Sequence, residues 1–171
     1  MNAKFYYTMK QLMCFLFIVP VLTACNQSTT DNRALQNRID SLENKLANAY
    51  KPGFGEFMSG IQSHHAKLWF AGQNQNWKLC DFEIHEIIEA IDNVEKYEPE
   101  RPESKMIGMI RPALDSVNNA IQQKNLTLFK SNYVLLTNTC NNCHHAAQFE
   151  FNVVKIPEVQ IFSNQDFKSH E

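Results

Sequence analysis

The chain has 171 residues, 44% of them hydrophobic and 20% charged, with a formal net charge of −2. That length suits one compact domain plus an arm. The slight acidity and the lack of a basic face argue against nucleic acid as a partner.

The N-terminus reads as an export signal over residues 1–24. Lys4 and Lys10 supply a positive start, and Leu12 to Leu22 is apolar, interrupted only by Pro20. The stretch is short for a stable membrane anchor. Leu22-Thr23-Ala24-Cys25 resembles the lipobox of bacterial lipoproteins. That resemblance implies cleavage before Cys25, lipid on its thiol and amine, and a membrane anchor facing the periplasm. Asn26 in place of an Asp favours the outer membrane. Loss of the two lysines moves the formal charge from −2 to −4.

Residues 25–53 are expected to form a tether and an arm. Asn26 to Asn32 is polar and reads as flexible. Leu35, Ile39, Leu42 and Leu46 then fall at 4-3-4 spacing between polar and charged residues, the pattern of a short coiled coil. So few heptads are marginal alone in water. The arm over residues 33–50 is therefore expected either to self-associate weakly or to pack on the domain that follows. Lys51-Pro52-Gly53-Phe54-Gly55 marks a hinge.

Residues 54–171 read as helix, repeatedly. Met58, Ile61, His65, Leu68 and Gly72 share a first stripe, and Trp77, Cys80, Ile84, Ile87, Ile91 and Val94 a second. Ile107, Ile110, Leu114, Val117 and Ile121 form a third, and Phe129, Tyr133, Leu136, Cys140, Cys143 and Ala147 a fourth. Each runs at the 3/4 spacing of a helix with one buried face. Four such helices with short connections predict an all-α, antiparallel four-helix bundle preceded by the amphipathic arm. Pro112 fits poorly inside a helix, so the third helix either kinks there or begins near it. Phe149 to Ile161 alternates loosely and is expected to lie as an extended strap.

Cys140-Asn141-Asn142-Cys143-His144 carries the chemistry. Cys-x-x-Cys-His is the attachment signature of a c-type haem. Two thiols must reach the two vinyl groups of one porphyrin, and an imidazole must sit under its iron. Positions i, i+3 and i+4 of a helix share a face, so Cys140, Cys143 and His144 reach the same flat cofactor. A structural zinc site needs four ligands, and no second pair stands at matching spacing. A redox disulfide prefers a βαβ setting, which is lacking. Cysteine usage agrees: Cys14 leaves with the signal, Cys25 takes lipid, Cys140 and Cys143 take haem, and Cys80 remains as a small buried hydrophobe.

A helical chain with this signature at the end of its last helix resembles the cytochrome c′ type of four-helix bundle. Gln62-Ser63-His64-His65-Ala66-Lys67-Leu68-Trp69-Phe70-Ala71-Gly72, Asn76-Trp77-x-Leu79 and Phe162-Ser163-Asn164-Gln165-Asp166-Phe167 also resemble blocks of a group of small exported haem proteins. The resemblance covers roughly residues 55–167 and implies one covalent haem c. His145-Ala146-Ala147-Gln148 follows the haem His, where cytochromes c′ often carry a basic residue. In an antiparallel bundle the end of the last helix lies near the start of the first. Met58, His64 and His65 are therefore the candidates for the second axial position, with His65 or His64 ahead of Met58. Lys67, Arg111 and Lys155 are candidate donors to the propionates. The reading is an electron carrier with an unidentified redox partner. The alternative is a protein that binds or senses NO or CO at an open iron face. No paired carboxylates and no nucleophile-base set point to an enzyme.

Overall fold

The computed structural model describes residues 27–170; the expected signal segment with Cys14, and Cys25, expected to carry lipid, lie outside the described residues. The chain divides into two compact units on either side of the Tyr50–Lys51 bond. Among its described residues the first contains one helix, α1 (Gln27–Ala47), so residues 27–32 are helical where the composition suggested a flexible tether. The second contains α2 (Phe54–Gln73), α3 (Trp77–Tyr97), a 3-10 turn (Ile107–Ile110), α4 (Arg111–Gln122) and α5 (Leu126–Ala146). No strand occurs among the described residues, so the class is all-α, as the periodicity predicts. None of the described helices is long and apolar enough to cross a membrane.

The four stripes become the core of the bundle. Leu68 of α2, Ile84, Ile87 and Ile91 of α3, Leu114 and Val117 of α4, and Phe129, Tyr133 and Leu136 of α5 are fully buried together. Burying one such side chain contributes about 1.5–3 kcal/mol. Cys80 is buried among them, and burial, reinforced by Glu83, pushes its thiol up to about 12. Pro112 falls in the first turn of α4, where its missing N–H has no helical partner to lose. The 3-10 turn just before it is the irregular lead-in.

Two short links are built by one device. Gln75 and Lys124 take positive φ values of 53° and 51°. Around each, the chain closes a Schellman motif: Asn76 N–H donates to the Ala71 carbonyl and Gln75 N–H to Gly72, while Asn125 N–H donates to Ala120 and Lys124 N–H to Ile121. The next residue then caps the following helix. Asn76 Oδ1 accepts from Leu79 N–H at 3.2 Å, and Asn125 Oδ1 accepts from Leu128 N–H at 3.0 Å. Each reversal therefore satisfies one helix end and one helix start within four residues.

Aromatic contacts fix the register of α2 against α5. A Cβ on Gly72 would run into the Phe129 ring. Trp69 packs on Tyr133, with ring centroids 4.8 Å apart, and His65 stacks on Tyr133 at 4.5 Å. Rising numbers on α2 thus meet falling numbers on α5, and the two helices are antiparallel.

Candidate haem-binding site

α5 ends in a third Schellman motif. Gln148 has φ 64°, Phe149 N–H donates to the His144 carbonyl at 2.7 Å, and Gln148 N–H donates to His145 at 3.1 Å. The chain turns back there, and the strap that follows runs past the last turns of α5. Asn141 holds it with both ends of one amide: Nδ2 donates to the Val154 carbonyl and Oδ1 accepts from Val154 N–H, each at 2.8 Å. His144 makes the second attachment, from Nδ1 to the Asn152 carbonyl at 2.6 Å. A carbonyl only accepts, so Nδ1 carries the proton. In the tautomer with Nδ1 protonated, Nε2 carries the bare lone pair, the form a metal takes. His145, one residue on, is exposed.

Cys140 and Cys143 are free thiols. Both are partly buried, and burial raises both: Cys140, also beside Cys143, is pushed up to about 12, and Cys143 upward. Burial therefore favours the protonated thiol at both positions. The Met106 carbonyl, at the lead-in to the 3-10 turn, lies 4.0 Å from Cys143 Sγ. Two residues earlier, Ser104 Oγ is buried without a hydrogen-bond partner. Among the described residues no three His, Cys, Asp or Glu side chains converge as around a metal ion. Cys140, Cys143 and His144 are spread along one face, which suits a flat ligand larger than an ion. Two free thiols, an imidazole with a fixed tautomer and a buried hydroxyl left open are donors that fit a covalently attached haem.

The three candidates for the second axial position separate clearly. His65 is buried, and both ring nitrogens are engaged by α5: Nδ1 with Tyr133 Oη and Nε2 with Thr137 Oγ1, each at 3.0 Å. Tyr133 Oη also donates to the His65 carbonyl at 2.7 Å, and Thr137 Oγ1 to the Tyr133 carbonyl at 2.9 Å. Burial holds the His65 imidazole down to about 4 and pushes the Tyr133 hydroxyl up. His64 turns instead to α3. Its Nδ1 lies 2.7 Å from Oε2 of the buried Glu83, and its Nε2 3.9 Å from Glu86. That side forms a groove of about 220 Å³ lined by Pro52, Phe57, Gly60, His64, Glu86 and Glu89, among others. Met58 is half-buried against the core. Counted along the two helices from the contacts of Gly72 with Phe129 and of His65 with Tyr133 and Thr137, Met58 falls in register with Cys143 and His144. His65 sits two helical turns from that level, about 10 Å along the axis.

The cations expected near the propionates are committed in part. Arg111 bonds Asp92 at 2.8 Å and Glu95 at 2.7 Å. Lys155 pairs with Glu158 at 3.2 Å, and Lys67 lies over the Phe162 ring. Sequence reasoning passed over Asn141, Asn152, Tyr133, Thr137, Glu83 and Ser104 as parts of this region. Only Asn141 carried a signal, by its place inside the signature. Comparison with protein-family models, with curated proteins and with solved structures finds no match to this chain.

Proposed function

We propose that the protein is an exported c-type cytochrome that carries one covalent haem and transfers electrons. The observation that supports this most directly is the pinned imidazole. His144 shares a face with two free thiols, and its Nδ1–H is committed to the Asn152 carbonyl. Cys140 and Cys143 would hold the ring as thioethers to its two vinyl groups, and His144 Nε2 would ligate its iron. When bound, the haem supplies a one-electron couple whose potential is set by the axial ligands and by burial. Asn141 keeps the strap, and with it the Asn152 carbonyl, against α5.

Met58 is the second axial ligand in this proposal, ahead of His65 and His64. Of the three, Met58 would be the one nearest the level of His144 when residues are counted along the paired helices. His65 serves the core and His64 the Glu83 carboxylate. Cys25 carries lipid and anchors the protein to the membrane, facing the periplasm. The redox partner is a protein met at that surface.

The test is spectroscopic. Material matured in its host should gain the mass of one haem, and the reduced protein should be low-spin. Met58→Ala should convert it to a high-spin form that takes CO, while His64→Ala and His65→Gln stay low-spin. A wild type already high-spin and open to CO replaces electron transfer with binding of NO or CO. Absence of any added tetrapyrrole overturns the assignment altogether.

A further inference from the structure

α1 has an apolar stripe facing solvent. Leu35, Ile39, Leu42 and Leu46 are 58%, 46%, 56% and 67% exposed. The opposite face is self-sufficient: Gln36 Nε2 donates to Asp40 Oδ1 at 2.8 Å, and Asn48 Nδ2 to the Asn44 carbonyl at 2.8 Å. The 4-3-4 spacing fixes the heptad. Leu35 and Leu42 take d, Ile39 and Leu46 take a, and one turn earlier Asn32 takes a. A β-branched residue at a with Leu at d favours two parallel strands, and a single Asn at a selects one register at some cost in stability.

The charges flanking the stripe make the same choice. Arg38 and Lys45 occupy g, and Glu43 occupies e. In a parallel pair g faces the e of the partner five residues on, so Arg38 of each chain meets Glu43 of the other, twice by symmetry. In an antiparallel pair with Leu35 opposite Leu46, g faces g and Arg38 meets Lys45. Like charges there repel.

We propose that the occupant of this stripe is a second copy of the same chain, and that α1 forms a parallel, in-register two-stranded coiled coil. Two heptads give weak association in free solution. Attachment of both copies to one surface raises their effective concentration and completes the pair. Parallel pairing puts both N-termini at the same end, where an anchor on Cys25 would need them. The inference stands without the haem: it uses no residue of the helical bundle.

Site-directed cross-linking of the full chain in its native membranes tests it. Asn32→Cys should cross-link to itself under mild oxidation, with the unsubstituted chain as the control for native cysteines. Leu35→Cys co-expressed with Leu46→Cys should not form the mixed product. Adding Arg38→Glu to Asn32→Cys should slow cross-linking about tenfold, by removing two attractions and creating two repulsions. Adding Glu43→Arg as well should restore the rate, which a merely misfolded arm would not. A mixed 35–46 product, no self-cross-link at 32, or failure of the charge swap to restore the rate overturns the proposal. So does a fall in the bundle melting temperature on Leu42→Asp, which would show the stripe covered by its own domain.

Discussion

The His65 imidazole illustrates how far a single residue departs from what its type suggests. Four close contacts surround it and its two hydroxyl partners, but a neutral ring supplies only three hydrogens for them. An imidazolium would supply the fourth. Burial decides the balance, because no carboxylate in the network repays the desolvation of a charge, and the group is held down to about 4. The sign of the linkage follows. The unfolded ring titrates near 6.5 and the folded ring lower, so His65 favours folding fully above pH 6.5. That contribution, about 3 kcal/mol, is lost as pH falls from about 6.5 to about 4. Urea midpoints across that window should drop more steeply for wild type than for His65→Gln. Parallel slopes would mean that His65 is charged in the folded state. His65 lay on the apolar stripe and so read equally well as core or ligand; only its partners on α5 distinguish the two.

At the scale of elements, the helices were legible because their stripes are long and regular, while the residues that turn the chain at each reversal were not, because they are not the usual glycine. Gln75, Lys124 and Gln148 all hold the left-handed conformation with a full side chain, at a cost of about 1 kcal/mol each. Lys124→Gly should therefore raise stability by about 1 kcal/mol, and Asn125→Ala, which removes the cap on α5, should lower it by a similar amount. Thermal melts of the two variants measure both. A destabilised Lys124→Gly would show that the link is not strained. The start of α4 belongs to the same scale. Pro112 left two readings open in the sequence, and the 3-10 turn at Ile107–Ile110 selects the later start. The strap was legible only as an extended segment. Its attachment through Asn141 and His144 joins residues eight to thirteen apart, a pairing that no local period signals.

For the whole molecule, every described residue of the second unit's core and its rim comes from Phe54 onward. A chain beginning at Lys51 should accordingly fold and melt within a few degrees of the full protein, as calorimetry would show. A large drop would mean that the arm contributes to the core. That Cys140, Cys143 and His144 share one face was readable from five adjacent residues, because a helix turns i, i+3 and i+4 to one side wherever it is placed. So were the all-α class and the exposed heptad of the arm, since each follows from periodicity within one segment. The level at which α2 meets α5 was not readable. Met58, His64 and His65 stand within two turns of one another in sequence, and whether each faces Glu83, Tyr133 or the end of α5 depends on helix rotation and axial register. Those are set by Gly72 against Phe129 and by Trp69 against Tyr133, packing between segments some sixty residues apart. Local pattern determines which face of a helix is apolar; only close packing between helices decides what that face meets.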